Sequence, residues 1–204
     1  SSRATAARVA EYRFDEYAYS GRVGEVADSS GNGRHGVRVG SATSAASGYV
    51  CRRLDVPANT TAASSGVDTL LDVGGAVGRT GSVGFWFRHN VTWTSSTAAM
   101  LLDATGSSTR PFYLMRNGGG ALRFTLADSA GTALTATTAA QTHAAGTWVH
   151  VAATWRVANG TNQSTLRIYV NGVLAATASG TTNGSLDASL GTLLVGDNRS
   201  AGTP

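Results

Sequence analysis

The chain contains no lysine, and its 16 basic residues are all arginine. These arginines are spread from Arg3 to Arg199, and Arg52–Arg53 is the only adjacent pair. Nucleic-acid-binding proteins generally concentrate their basic residues in one stripe or patch. The formal net charge of +4 therefore does not predict a nucleic-acid partner.

Cysteine, proline and long apolar runs are also scarce. The single cysteine, Cys51, excludes an intrachain disulfide and a zinc site of the cysteine type. No apolar run approaches the roughly 18 residues that a membrane-spanning helix needs, so we expect no direct membrane insertion. Three prolines against 26 glycines favour many short strands joined by glycine turns over long helices.

The sequence also lacks a recognisable set of catalytic residues. The three glutamates, Glu11, Glu16 and Glu25, lie near the N-terminus and do not form the alternating pattern that places two carboxylates about 5 Å apart in retaining glycosidases. No nucleophile motif or phosphate-binding glycine loop occurs. The four histidines lack metal-ligand spacing, and His150 alternates with apolar neighbours, which favours a place in the core. We predict that the protein is not an enzyme.

Short apolar segments bounded by turn-forming residues make up most of the chain. Alternate residues are apolar in Trp148–Val157 and in Leu166–Val170, as in strands with one buried face. Asn171–Gly172 predicts a type I′ hairpin turn, and NGGG at 117–120 predicts a second reversal. We predict an all-β fold, an antiparallel β-sandwich. The other predicted strands are RVAEYRF, GSVGFWFRH, AAMLLDA, PFYLMRN, ALRFTLA, VLAATA and TLLVG.

The glycine-rich segment VADSSGNGRHG, Val26–Gly36, is the clearest candidate for a functional loop. It lacks the helix and lysine of a phosphate cradle and the acid spacing of an EF-hand. One reading is a calcium site formed by Asp28, Asn32 and loop carbonyls, with Asp15 and Glu16 nearby. The other is a turn that Asp28 stabilises without a metal. The residues alone leave both readings open.

The four tryptophans differ in their sequence surroundings. Trp86, Trp148 and Trp155 lie inside strand patterns, which favours core packing. Trp93 lies in the polar stretch HNVTWTSS, so we expect it to be partly exposed and able to stack on the apolar face of a sugar. The accompanying polar contacts are predicted to come from Arg110, Tyr113 and Arg116.

Six segments in order resemble the laminin-G-like, concanavalin A-like sandwich domains of bacterial surface proteins: AEYRFDE, VADSSGNGRHG, GSVGFWFRHN, GTWVHVAATW, LRIYVNGVLAA and LLVGD. The resemblance spans Val9–Asp197. More narrowly, GFWFRHNVTW, AMLLDATG and LRFTLADSAG look like the MshQ-type lectin-like domain of proteins associated with the mannose-sensitive haemagglutinin pilus. The resemblance implies a jelly roll, which we expect over residues 8–204. The residues SSRATAA at 1–7 predict a flexible lead before it.

The resemblance also implies a function. Such domains often carry one calcium between the first strand and the loop that contains Asp28, and they act outside the cell in binding or adhesion, often towards glycans. We therefore expect a lectin-like module at the bacterial cell surface that recognises a glycan or another surface ligand. The alternative is a structural subunit of an extracellular fibre or pilus-associated assembly, in which strands pair between neighbouring chains.

The end of the sequence departs from the family pattern. Domains of this kind usually finish with a strand of the form G-x-IDEVRIY, which pairs with the N-terminal strand and often supplies another calcium carboxylate. This chain reads LLVGDNRSAGTP there instead. We therefore expect an open sheet edge, which a longer protein or a neighbouring chain would fill.

Overall fold

Strands form nearly all of the regular structure in the computed structural model, which describes residues 8–57, 65–95, 98–106, 111–159 and 162–196. Helical structure in these ranges comprises one turn, α1 (Val73–Ala76), and a 3₁₀ turn at Trp93–Ser95. The strands are β1 (Val37–Val39), β2 (Thr43–Ala45), β3 (Arg53–Asp55), β4 (Gly66–Asp72), β5 (Thr80–Arg88), β6 (Ala99–Asp103), β7 (Phe112–Arg116), β8 (Leu122–Ala127), β9 (Ala133–Thr137), β10 (Trp148–Arg156), β11 (Ser164–Val170), β12 (Val173–Gly180) and β13 (Thr192–Val195).

Two antiparallel sheets share one core, which confirms the predicted β-sandwich. The larger sheet has the strand order β1-β4-β13-β6-β7-β8-β9, and the smaller has the order β12-β11-β10-β5. A separate hairpin pairs β2 with β3. The core contains residues of both sheets, including Leu114 and Phe124 from the larger and Val149 and Leu166 from the smaller. The inner faces of the sheets are therefore buried against each other.

The alternation in β10 sets which residues enter the core. Val149, Val151, Ala153 and Trp155 are all buried, whereas the residues between them are half-buried. The Trp155 ring meets Phe112 of the larger sheet edge-on at 5.4 Å between centroids. A strand places successive side chains on opposite faces, so this pattern leaves the other residues of β10 on the outer face.

The two predicted hairpin turns are confirmed. Asn171 has φ 49° and Gly172 has φ 80°, as a type I′ turn requires of its two central residues, and together they connect β11 to β12. Asn117 closes the second reversal, because its N–H donates to the carbonyl of Ala121 at 2.9 Å. Gly120 lies in this turn with φ 87°, a conformation that glycine adopts without strain.

The N-terminal segment RVAEYRF was predicted as a strand, and this prediction was wrong. The segment makes one isolated antiparallel bridge, between Tyr12 and Asp28. Phe14 has φ 56°, which bends the backbone out of the extended conformation.

Conversely, the segment GVDTLLD was not predicted as a strand, because its apolar pattern is weak, but it forms β4 between β1 and β13. Its Val67 and Leu71 are buried by that placement.

Some predicted features lie outside the described residues: the lead at 1–7, the ligand-contact candidate Arg110, and the C-terminal residues 197–204. Within the described ranges, none of the helices is long or apolar enough to cross a membrane.

Candidate functional site

Asp28 of the glycine-rich loop is 8% exposed and accepts hydrogen bonds from the loop and from the N-terminal segment. Its Oδ1 accepts hydrogen bonds from the N–H of Glu11 at 2.9 Å and of Ser30 at 2.8 Å. Its Oδ2 accepts from the Ser30 hydroxyl at 2.8 Å and the Arg34 N–H at 3.0 Å. Each carboxylate oxygen therefore has two protein donors, the arrangement of an aspartate that stabilises a turn.

The surroundings of Asp28 favour its charged form. Burial raises the pKa of the carboxyl group, but hydrogen bonds from Ser30 and Arg34 and the charge of His35 outweigh burial, so the pKa is lowered. A carboxylate that accepts several N–H bonds is stabilised in this way. The loop thus holds Asp28 as an anion through donors of the protein itself.

The other predicted calcium ligands are also engaged in hydrogen bonds. Asp15 accepts from the N–H of Arg52 at 3.2 Å, and Glu16 accepts from the N–H of Ala27 at 2.8 Å. The amide nitrogen of Asn32 donates to the carbonyl of Arg8 at 2.7 Å. The bonds of Glu16 and Asn32 fasten the N-terminal segment to the loop, and the bond of Asp15 fastens it to the β2–β3 connection.

As arranged here, the side chains do not fit a calcium site. Within the described ranges, no group of three or more histidine, cysteine, aspartate or glutamate residues could hold a metal ion. Calcium needs six to eight oxygen ligands, so binding would require the loop to release several hydrogen bonds. The predicted calcium site remains a prediction, and the contacts of Asp28 support the turn reading.

Trp93 was expected to be partly exposed, and the structure corrects that expectation, because its side chain is 0% exposed. Its ring lies 5.5 Å from the Phe87 ring and 4.7 Å from the His143 ring, centroid to centroid. The backbone N–H of Trp93 donates to the backbone carbonyl of His143 at 3.1 Å. Exposure was predicted from the polar residues around Trp93 in the sequence. The 3₁₀ turn at Trp93–Ser95 nevertheless directs the side chain of Trp93 into the core.

Arg116 is a second correction, because it is also 0% exposed and so cannot serve as a surface contact. Its Nη1 donates to the carbonyls of Trp93 at 2.9 Å and Asn117 at 2.8 Å. Burial lowers the pKa of its guanidinium. Tyr113 is half-buried. It lies on the face of β7 opposite Arg116, because successive side chains of a strand point to opposite faces. The predicted ligand-binding set is therefore not one surface.

Two exposed aromatic residues contact each other on the outer face of the smaller sheet. Trp86 in β5 is 41% exposed, and Tyr49 in the loop between β2 and β3 is 51% exposed. Their rings are stacked with centroids 3.6 Å apart and planes inclined by 13°. Trp86 was assigned to the core from its strand pattern, and this assignment was wrong, because the core side of β5 is occupied by Phe85 and Phe87.

Two residues of β10 extend this surface. His150, opposite Trp86 in the strand register, meets the Trp86 ring at 5.2 Å, so it is not a core histidine. Trp148 meets the Tyr49 ring edge-on at 6.3 Å, and the Arg88 guanidinium lies 5.3 Å above the Trp148 ring. We name Tyr49, Trp86, Trp148 and His150 the aromatic platform.

The sequence contained part of the signal for this platform. In GSVGFWF, the apolar residues Val83, Phe85 and Phe87 alternate with Gly84 and Trp86, so the two sets lie on opposite faces. Because Trp86 is also an apolar residue, the pattern of this segment left the side that it faces open. Tyr49 arrives from a hairpin that no sequence pattern indicated, and its contact with Trp86 depends on the tertiary fold.

The edge of the smaller sheet that β5 forms is a second candidate surface. Among the described strands, β5 pairs with β10 on one side only. Its core-facing residues Val83, Phe85 and Phe87 are half-buried, whereas Val149 and Val151 of β10 are 0% exposed. The core is therefore less completely covered along β5.

Comparisons with known proteins identify the fold. Residues 59–204 match the family model Laminin_G_3, described as the concanavalin A-like lectin/glucanases superfamily. The binding domain of Paraclostridial Mosquitocidal Protein 1 is similar, with 14% identity and a TM-score of 0.58 over 91% of this chain and 45% of that chain. The binding domain of botulinum neurotoxin serotype D gives 14% identity and a TM-score of 0.46 over 94% of this chain and 45% of that one. A search of curated proteins finds no match.

Proposed function

Because the chain belongs to the concanavalin A-like lectin/glucanases superfamily, we propose that it is a lectin-like, non-catalytic module that binds a glycan through the aromatic platform. Its proposed place is the bacterial cell surface, where it would recognise a cell-surface ligand or mediate adhesion. The observation that carries the proposal is the exposed stack of Tyr49 on Trp86. The fold alone does not determine which ligand is bound, so the ligand class is inferred from the residues of the site.

The chemistry of the platform suits a sugar. Aromatic rings offer large, rigid apolar faces, and Tyr and Trp also have a polar group that can hydrogen-bond. The stack fixes the orientation of Trp86 before any ligand binds, which lowers the entropic cost of binding. His150 and Arg88 lie beside the rings and supply donors for sugar hydroxyl groups.

A glycan array probed with the wild type and with Trp86→Ala tests this proposal. We expect the variant to lose more than about tenfold in affinity for the glycans bound, since a central tryptophan typically dominates a binding site. Tyr113→Ala is the matched control, because it removes an aromatic ring from the other sheet. Equal binding by the wild type and Trp86→Ala would refute the platform as the site.

Calcium assistance is proposed separately and is tested on the same array in EDTA. For calcium to bind at the loop, Asp28, Asn32, Asp15 and Glu16 would have to exchange internal hydrogen bonds for the metal. Binding that EDTA abolishes, and that Asp28→Asn also abolishes, would support a calcium-dependent lectin. Binding unchanged by EDTA would refute this part of the proposal and leave the glycan site intact.

The edge of β5 favours a second candidate function, a subunit of an extracellular fibre or pilus-associated assembly. We propose that a strand from a second copy of the chain pairs with β5 and covers Val83, Phe85 and Phe87. Long strand edges with open backbone groups are templates for such pairing. The MshQ-type resemblance in the sequence is consistent with this assembly.

Light scattering at increasing protein concentrations tests the pairing. We expect the wild type to associate as the concentration rises and Val83→Lys to stay monomeric, because an inward-pointing charge on an edge strand opposes pairing. Val173→Lys, at an exposed position of the opposite edge strand β12, is the matched control and should associate like the wild type. A wild type that is monomeric at every concentration would contradict this candidate function.

A further inference from the structure

An open cleft of about 250 Å³ lies at one end of the smaller sheet, where β5 begins and β10 ends. We name it the arginine cleft, because its two charged lining residues are Arg79 and Arg156. Its described lining contains no acidic residue. The remaining lining residues are Thr80, Val157, Ala158, Asn159 and Asn162.

The cleft and the aromatic platform lie towards opposite ends of the same strands. Thr80 of the cleft and Trp86 of the platform are six residues apart in β5. At about 3.3 Å per residue the separation is about 20 Å. Both residues have even numbers in a strand whose odd-numbered residues face the core, so they lie on the same outer face. An extended polymer lying along this face would reach both sites.

The charge of this face has one sign. β5, β10, β11 and β12 contain no aspartate or glutamate. Arg156 and Arg167 lie on the outer face, and their neighbours in the register are the hydroxyl residues Thr165 and Thr154. Among the described ion pairs, none includes Arg79, Arg156 or Arg167. The positive charge is therefore not neutralised by carboxylates of the sheet.

The arginines of the cleft retain donors for a ligand. Arg79 donates from one Nη to the Gly184 carbonyl at 3.3 Å, and Arg156 donates from one Nη to the Gln163 carbonyl at 3.4 Å. These are long bonds to neutral acceptors, and a guanidinium has five N–H donors. The described bonds orient both side chains and leave further donors for an oxyanion, which arginine binds in a bidentate manner.

We propose that the arginine cleft binds a sulfate or carboxylate group of an acidic polysaccharide whose neighbouring sugars stack on the aromatic platform. This inference rests on the proposed glycan-binding function and adds the chemical class of the ligand. Asn159 and Asn162 supply amide donors to the same anion, and Thr80 supplies a hydroxyl.

Titration with dextran sulfate and with dextran tests the inference, because the two polymers share a backbone and differ in the anionic groups. We expect dextran sulfate to bind at least tenfold more tightly than dextran. Arg156→Gln and Arg79→Gln should each weaken dextran sulfate binding about tenfold, equivalent to about 1.4 kcal/mol, and leave dextran binding unchanged. The matched control is Arg123→Gln, an exposed arginine of the other sheet, which should change binding less than twofold.

Three results would overturn the inference. The first is equal binding of the two polymers by the wild type. The second is an equal loss in Arg156→Gln and Arg123→Gln, which would mean that net charge alone attracts the polyanion. The third is competition by inorganic sulfate at the cleft without any binding of dextran sulfate, which would indicate a site for a small free anion.

The platform variant separates the two proposals. If Trp86→Ala loses neutral glycans while Arg156→Gln still binds dextran sulfate normally, the inference about the cleft fails and the glycan-binding function stands. If Trp86→Ala binds every glycan normally while Arg156→Gln loses dextran sulfate, the platform is refuted. The composite site proposed here is then refuted as well. Thermal unfolding of each variant verifies that it is folded.

Discussion

Substitution of Asp28 by alanine tests whether this residue acts through hydrogen bonds or through calcium. The variant removes four hydrogen bonds of 2.8–3.0 Å, three from backbone N–H groups and one from a hydroxyl. A hydrogen bond to a charged group contributes roughly 1.5–3 kcal/mol, but water replaces part of the loss at a loop and the terms do not add fully. We expect a decrease of about 2–4 kcal/mol in the free energy of unfolding.

The assay is thermal unfolding followed by circular dichroism, once in EDTA and once in calcium chloride. At about 2–4 °C per kcal/mol for a domain of this size, Asp28→Ala should lower Tm by roughly 5–15 °C in both buffers. The matched control is Asp72→Ala, which removes one N-cap bond to the Gly75 N–H at 3.2 Å and should cost about 1 kcal/mol.

Two results would refute this reasoning. A loss no larger than that of Asp72→Ala would mean that the four bonds of Asp28 contribute little. A wild-type Tm that rises in calcium, with the rise absent in Asp28→Ala, would mean that the loop exchanges its hydrogen bonds for a metal. Equal Tm values for the wild type in the two buffers are the result expected if the hydrogen bonds of Asp28 hold the loop without a metal.

Two further predictions concern packing and pH. Gly81→Ala should lower the free energy of unfolding by about 1–3 kcal/mol in chemical unfolding, because the added Cβ would overlap the Trp155 ring. Gly84→Ala is the control, because its Cβ would lie 3.5 Å from the nearest atom, an ordinary contact distance. Equal losses of stability in the two variants would contradict the prediction. The pKa values of Asp28 and Glu25 are lowered in the folded protein. Their carboxylates therefore stabilise the fold fully above their unfolded pKa values of about 4. This stabilisation is lost as the pH falls through their folded pKa values. Tm measured from pH 6 to pH 2 should therefore fall on acidification, and Asp28→Ala should show a shallower fall; parallel curves would contradict the assignment.

Local features of the fold could be predicted from the sequence. Asn171–Gly172 specifies its turn by the positive φ of both residues, and the alternation in β10 specifies which side is buried once the strand pairs. Both are properties of a few neighbouring residues. β4 was not predicted, because its strand conformation depends on pairing with β1 and β13 from distant parts of the chain.

The candidate site was less predictable for the same reason. The burial of Trp93 depends on Phe87 and His143, which lie in separate segments. Trp86 is exposed because it lies on the outer face of β5, opposite the core-facing residues Phe85 and Phe87. Its stacking partner Tyr49 comes from an unpredicted hairpin. The sequence predicted that aromatic residues form the ligand surface and selected the wrong tryptophan.

The four tryptophans allow one direct test of the central claim, that the outer face of the smaller sheet binds the ligand. Each tryptophan gives a separate indole N–H signal in a proton–nitrogen correlation spectrum, and the spectrum can be followed during titration with a glycan that binds on the array. We predict that the signals of Trp86 and Trp148 shift while those of the core residues Trp93 and Trp155 do not. Unchanged Trp86 and Trp148 signals during saturable binding would contradict it, because the ligand would then occupy another surface.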